Sequence, residues 1–373
     1  LERRVKNDKS IWFIPLSIKF KSKNISKIFA KQTDTNKIGK KVKWFKINPG
    51  QNGFYRVKYP KKILTELTWL VANKKLSNLD RWGLQNDLFA LCMSSEIPLS
   101  EYLGCIKSYS NEDDYLVIKD IQDNLYLLYL ISSKEKFWQK IREHKTFFAK
   151  NFLRLGWQIE KNEKHTDSLL RIQTIMYLGR FGEKRILDAS KEKFQHFLKQ
   201  PNSLHPDLHG VICSLAAWQG DAKTHQQITH LYREARTQEE KTRFLIALSG
   251  FRDTNLLRKT LDFSLSSEVR LQDTFLPIIA TSNNPYGRNI LWPWIKKNWK
   301  KLREKHGVGG KPLLGRIIKS ISVVADREKE EEIKEFFKRN PVSGTERTLA
   351  QTLERLRINS NLLESIRRNT LIS

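Results

Sequence analysis

Cysteine and methionine are scarce here: three cysteines and two methionines among 373 residues. Cys92, Cys105 and Cys213 are too few and too scattered for a disulfide framework or a zinc knuckle. Each has apolar neighbours, as in Leu91-Cys92-Met93, and reads as a buried free thiol. That usage favours a reducing, cytoplasmic compartment. No window reaches the roughly 18 uninterrupted apolar residues of a spanning helix, and no leader pattern opens the chain. G-x-S-x-G is absent, so no nucleophile elbow is indicated. The sequence opens on Leu1, in a charged stretch that runs into strand-like residues. It is expected to be a piece of something longer.

What is present points to a large folded chain. With 373 residues, 39% of them hydrophobic, and ten tryptophans, it can bury a sizeable core in more than one domain. Net charge is +28, and residues 1–60 hold 16 Lys/Arg against 3 Asp/Glu. A basic surface suits nucleic acid, acidic lipid or acidic peptide. The lysines are spread over all segments, however, and form no recognition motif. Nucleic acid binding is therefore expected to be non-specific if present.

The first 60 residues read as strands. In "IPLSIKF", Ile14, Leu16, Ile18 and Phe20 alternate with polar positions and Pro15. "KVKWFKINPGQNGFYRVKY" reads as a hairpin turning at Asn52-Gly53, with Tyr55, Val57 and Tyr59 on one face. After Pro60 the period changes to that of helices. Ser77-x-x-Asp80 resembles a capping box opening a helix with Leu84, Leu88 and Leu91 in one stripe. Amphipathic stretches of 10–20 residues then follow one another to about residue 357, with short links. That succession marks a helical array of solenoid type. The expected modules are a small sheet domain, 1–60, and a helical array, 61–373.

Candidate chemistry is sparse. "HPDLH", residues 205–209, has two histidines at the spacing of the zinc-binding H-E-x-x-H helix. Pro206 pushes His205 out of helical geometry and is itself favoured at the first helical position. A proline stands where the glutamate belongs, and the position of the distal ligand is Ile228. A helix start with Asp207 in its first turn accounts for the pattern. "GVGGKPLLG", 307–315, lacks the glycine and the Ser/Thr of a phosphate loop and reads as a link between helices. The tryptophans lie mostly in helical stripes and read as core.

Several stretches together carry a resemblance. "WFIPLSIKF", "WFKINPGQNGFYRVKYP", "LDRWGLQNDLFAL", "EEKTRFLIALSGFRDTNLLRKTLDFSLSSEVRLQD", "NPYGRNILWPWIKKNWKKLREKHG" and "SGTERTLAQTLERL" occur in that order. Together they resemble the C-terminal region of M1-family zinc aminopeptidases, leaning to the puromycin-sensitive and tricorn-interacting-factor branch. The resemblance implies a mainly α fold: a HEAT/armadillo-like α-solenoid bowl preceded by a small antiparallel β-sandwich. It implies that the bowl caps a peptide chamber and packs on an N-terminal catalytic domain, which would hold zinc and remove N-terminal residues from peptide substrates. No H-E-x-x-H or G-x-M-E-N occurs, so no catalytic residue, metal ligand or cofactor is carried over onto this chain.

Gly53, Tyr55, Arg56, Tyr59, Arg81, Asp87, Trp294 and Trp299 match the family motifs and are expected to be structural. Arg81 and Asp87, six apart, cannot pair within one helix and are expected to tie to other elements. Gln272 and Asp273, with Arg347, Gln351 and Glu354 on one helix face, are candidates to line the chamber. The competing reading is a helical-repeat scaffold whose basic surface engages nucleic acid or acidic partners.

Overall fold

A computed structural model describes residues 13–21, 23–31, 33–35, 42–132, 138–306, 310–324 and 326–370. The chain is mainly helical, with a small sheet at its start. It divides into two compact units, Leu1–Ile121 and Gln122–Ser373.

The first unit opens with β1 (Ile14–Lys19), β2 (Asn24–Phe29) and β3 (Lys46–Ile47). They form one antiparallel sheet in the order β2-β1-β3, with Ile14 opposite Phe29 and Ile18 opposite Ile47. Leu16, Phe20 and Phe29 are buried against the unit's core. The hairpin expected over 42–59 is not formed as a ladder. β3 pairs with β1, and among the described residues no strand follows at 54–59. The cause is local. Asn48 sits in the left-handed region at φ 58, and its amide accepts from Gly53 N at 2.7 Å and donates to Gly53 O at 2.8 Å. This clasp closes a compact loop around Pro49–Gln51. The returning chain meets β3 through a side chain: Ile47 N donates to the Tyr59 hydroxyl at 2.8 Å.

Helices α1 (Lys61–Ala72), α2 (Asn78–Met93) and α3 (Leu99–Ile106) follow in the same unit. Ser77 caps α2, its Oγ accepting from Asp80 N at 3.2 Å, as the sequence predicts. The carboxylate of Asp80 does not reach back to close the box. It accepts from Gly50 N at 2.8 Å instead.

The division between units falls inside α4 (Tyr115–Ser132). The second unit continues with α5 (Trp138–Glu143), α6 (Lys145–Leu155), α7 (His165–Arg180), α8 (Lys184–Lys199), α9 (Pro206–Gln219) and α10 (Ala222–Glu234). Then come α11 (Gln238–Ala247), α12 (Thr254–Ser264), α13 (Phe275–Ser282), α14 (Arg288–His306), α15 (Lys311–Ser320), α16 (Glu328–Arg339) and α17 (Glu346–Thr370). Packing alternates. α7, α9, α11, α13 and α15 each rest on the next of a series that ends at α17, while α8, α10, α12, α14 and α16 each cover the helix that follows. This two-layer succession is the mark of an α-solenoid. Leu215, Ile278, Ile317 and Leu356 are fully buried along the first series.

Three helix bounds differ from expectation. A single helix is expected over 134–155; positions 134–137 lie outside the described residues, and over the rest α5 and α6 break at His144. A helix expected over 268–281 begins only at Phe275, after the 3₁₀ turn Leu271–Asp273. α17 runs to Thr370, beyond the expected stop near 357. Asn359 and Ser360 look like helix breakers, yet both are buried inside the helix row and each donates a hydrogen bond there, although Asn359 Oδ1 is left without a partner. Asn359 Nδ2 donates to Ser322 O at 3.0 Å and Ser360 Oγ donates to Leu356 O at 2.9 Å. Leu362, Leu363 and Ile366 prolong the buried stripe, so tertiary burial overrides weak propensity.

Candidate functional site

In the first unit, two of the recognised motifs meet. The loop of "NPGQNGFYRVKY" lies on α2, which carries "LDRWGLQND". At Gly83 a Cβ would stand 1.8 Å from the end of the Gln51 side chain, so any larger residue would have to displace that amide from α2. Gly53 is clasped by Asn48 as described, and a Cβ there would collide with Tyr55 at 2.2 Å. Arg56 donates to Asp87 Oδ1 at 3.1 Å and also to the Asn86 side chain. Lys58 Nζ reaches Glu96 O at 2.7 Å.

Charges are buried at this contact. Lys46 is fully buried, with Nζ donating to Ile47 O at 2.8 Å and lying 4.0 Å from Asp80 Oδ1. Burial holds the ammonium below its ordinary pKa, and Asp80 and Asp87 oppose that shift. Burial likewise raises the Asp87 carboxyl, against the pull of Arg56. The phenols of Tyr55 and Tyr59 are raised chiefly by burial. Arg81 points elsewhere. It makes a two-pronged pair with Glu112 and donates to Leu76 O at 2.7 Å. These contacts hold backbone and helices together, and none presents a nucleophile or a general base to solvent.

The sequence reading missed Lys46, Asn48 and Glu112. Lys46 sits among alternating lysines that look solvated, and only the pairing of β3 turns it inward. Glu112 falls in a polar turn with no motif. Asp80 was visible as a capping residue, but its bond to Gly50 N spans 30 positions and leaves no local signal.

In the second unit, Gln272 and Asp273 lie in a 3₁₀ turn, Leu271–Asp273, just before α13. Gln272 is exposed. Asp273 is buried, accepting from Gln238 Nε2 at 2.7 Å and Arg270 Nε at 3.1 Å. Arg347, Gln351 and Glu354 form one exposed stripe on the first three turns of α17. Gln272 and this stripe present unburied polar groups, whereas Asp273 is already engaged. Trp294 Nε1 donates to Asp262 Oδ1 at 2.8 Å. Trp299 packs its ring against Phe336 and Phe337, with centroids 6.1 and 5.0 Å away. Trp69, expected in the core, is half exposed, with Lys75 over its ring.

The two histidines of "HPDLH" do not converge. α9 begins at Pro206, and His205 is its cap, Nδ1 accepting from Asp207 N at 3.3 Å. His209 is buried between Phe197 and Phe244, its Nε2 3.1 Å from Leu204 O. Burial holds its ring below the ordinary histidine pKa. Among the described residues, no group of three or more His, Cys, Asp or Glu is placed to hold a metal. The described residues therefore do not fit the zinc ion of the aminopeptidase family. Positions 307–309 of "GVGGKPLLG" lie outside the described residues; its remainder begins α15. No helix among the described residues is long and apolar enough to cross a membrane.

The family model for the ERAP1-like C-terminal domain matches residues 44–358. The chain belongs to that family. It is 32% identical over 344 residues to Aminopeptidase M1 of Arabidopsis thaliana, covering 90% of this chain and 39% of that protein. It is 28% identical to Probable aminopeptidase 2 of Sulfurisphaera tokodaii, covering 96% of this chain and 42% of the relative. It is 28% identical to the Puromycin-sensitive aminopeptidase of Caenorhabditis elegans, covering 87% and 35%. The chain thus spans about two fifths of the length of the curated relatives it matches. As an ERAP1-like C-terminal domain, it corresponds to the non-catalytic C-terminal part of M1-type aminopeptidases. The loop-on-α2 contact and the Trp294–Asp262 bond lie within the matched residues.

Proposed function

We propose that this chain caps the peptide chamber of an M1-type aminopeptidase and packs on the zinc-bearing catalytic domain. The match over 44–358 carries this reading. The enzyme so completed would remove N-terminal residues from peptides, with zinc held entirely by the catalytic domain. In this reading the array of α7 to α17 supplies a wall. The exposed stripe Arg347, Gln351 and Glu354, with Gln272, offers hydrogen-bonding groups to a peptide backbone. Asp273 acts indirectly, by fixing the turn that carries Gln272. The buried contact of loop and α2 keeps the sheet aligned with the first helices.

The test uses the aminopeptidase that contains this region. Arg347→Ala, Gln351→Ala and Glu354→Ala combined are expected to raise KM for long peptides about threefold or more, and to leave a single-residue reporter unchanged. Equal loss on both substrates, or no loss on either, refutes the chamber role. The chain by itself, supplied with zinc, is expected to release nothing from an aminoacyl reporter. Turnover abolished by His205→Ala and His209→Ala would overturn that expectation.

A further inference from the structure

A groove of about 450 Å³ runs between α12 and α14. Its floor is apolar, formed by Ile290, Pro293 and Trp294, and its rims are cationic. Arg258 stands on the α12 side, and Lys297 and Lys301 on the α14 side. All three cations are exposed. None makes a hydrogen bond or ion pair among the described residues. The contrast along α14 is plain. Lys296 is paired with Glu332, Lys300 faces Glu304 at 3.9 Å, and Lys305 is pinned to Leu265 O and Ser266 O. The groove's one anion, Asp262, is held by Trp294 Nε1 at 2.8 Å. Positive charge at the rims is thus left unanswered beside an apolar floor in which Pro293 is exposed and Ile290 and Trp294 are largely buried.

We propose that this groove docks a segment of another protein with the pattern acidic–apolar–acidic in extended conformation. The dimensions support that occupant. Lys297 and Lys301 are one helical turn apart, about 6 Å between Cβ atoms. In an extended peptide, side chains i and i+2 share a face about 7 Å apart, with i+1 turned the other way. Two carboxylates can therefore meet the two lysines while the side chain between them turns into the groove, where Pro293 is the exposed apolar residue. Arg258 closes the opposite rim on the peptide's further acids or carbonyls. Nucleic acid fits less well. Single strands are held by stacking on exposed aromatic faces, and Trp294 is only 6% exposed. The chain's excess of 28 positive charges also makes non-specific attraction the competing explanation, so the test must subtract it. The inference does not depend on the aminopeptidase reading.

The experiment measures fluorescence polarisation of a labelled Ser-Glu-Leu-Glu-Ser peptide at an ionic strength of about 0.15 M. Arg258→Ala, Lys297→Ala and Lys301→Ala combined are expected to weaken binding about tenfold. Lys191→Ala, Lys223→Ala and Lys319→Ala remove the same charge from exposed positions elsewhere in the second unit. They are expected to leave affinity within about twofold. Replacing the peptide's leucine by serine is expected to weaken binding about tenfold. Lys297→Glu with Lys301→Glu is expected to transfer preference to Ser-Lys-Leu-Lys-Ser, provided circular dichroism shows the helices intact. Equal loss in both triple variants, or indifference to the leucine, overturns the proposal in favour of diffuse charge. So does an oligouridylate whose binding falls only in the groove variant while the peptide's does not; the site would then be one for nucleic acid.

Discussion

Arg81 holds Glu112 by two hydrogen bonds, Nε to Oε2 at 2.7 Å and Nη2 to Oε1 at 2.8 Å. Both side chains are almost wholly removed from solvent. The third arm of the guanidinium caps Leu76 O, and Tyr109 donates its hydroxyl to Arg81 O at 2.8 Å. One residue thus ties the start of α2 to the turn after α3. The hydrogen bonds it donates to Glu112 raise the guanidinium above its ordinary pKa. Removing one partner strands the other charge in the interior, which costs far more than the pair is worth net.

Arg81→Met is therefore expected to destabilise the first unit by about 3 kcal/mol. Glu112→Gln, which keeps the shape and one acceptor, is expected to cost about half as much. Urea unfolding followed in the first unit checks both. Equal and negligible costs would show that the pair is worth no more than a surface bridge.

The second unit carries an acid-sensitive site at His225. The ring is buried against Phe251, with Nε2 3.1 Å from Thr260 Oγ1. Thr260 Oγ1 lies 2.9 Å from Leu248 O and 3.0 Å from Leu256 O, to which its own proton can go, so its oxygen is left to accept from a neutral ring. Burial, helped by Lys259, holds the pKa down to about 4 from an ordinary 6.5. The folded state therefore binds this proton less tightly than the unfolded chain does. Stability from the site is complete above about pH 6.5 and drains away as pH falls towards 4. The full loss is roughly 3 kcal/mol. Chemical denaturation between pH 7 and 4 is expected to show a steep fall that His225→Gln flattens. His209 and His306 are lowered by burial too, so some slope is expected to remain.

Arg288 is the clamp of the second unit. Nη1 donates to Leu130 O at 2.9 Å and Ile131 O at 2.6 Å, and Nη2 to Val324 O at 2.9 Å. It answers the open carbonyls at the C-terminal end of α4. Arg288→Lys keeps the charge but loses the fork that reaches three carbonyls. It is expected to cost about 2 kcal/mol and Arg288→Met about 3. Faster amide exchange at 128–132 is the local readout. Unchanged protection there would mean that the helix end is held by other groups.

How much of this could be read beforehand follows from the range of each interaction. The start of α9 was legible because Pro206 acts on its own neighbours. The cap at Ser77 was legible because it spans three residues. The helix row was legible from apolar period. The clasp of Asn48 on Gly53 was not, since "NPGQNG" offers a commoner hairpin turn at Asn52-Gly53 and only the pairing of β3 with β1 decides between them. Inward Lys46 and exposed Trp69 are errors of the same kind: residue type argued for the average environment, and distant contacts chose another. Among the chamber candidates, face sharing on α17 was legible from spacing. The engagement of Asp273 by Gln238, 35 positions away, was not.

The division proposed from sequence, sheet module 1–60 and helical array 61–373, leads to the last prediction. Secondary structure changes there, since α1 begins at Lys61. Hydrogen bonds, however, cross that point. Asp80 accepts from Gly50 N, Arg56 reaches Asp87 and Asn86, and Lys58 reaches Glu96 O. All of these partners lie on α2 or just beyond it, and residues 1–121 cluster as one unit. Cutting before Lys61 removes Lys46 and Arg56 and leaves Asp80 and Asp87 without those cations. Each buried carboxylate then either takes up a proton or draws in water. The fragment 61–373 is therefore expected to keep its helical circular dichroism per residue, because the row from α7 to α17 does not use the excised bonds. Amide exchange in α2 is expected to quicken by about tenfold or more, corresponding to some 1.4 kcal/mol of lost local stability. Asp87→Asn in the fragment is expected to restore part of that protection, since a neutral amide needs no counterion. Loss of helicity throughout 122–373 would sink the modular division; unchanged exchange in α2 would sink the claim that the loop holds it.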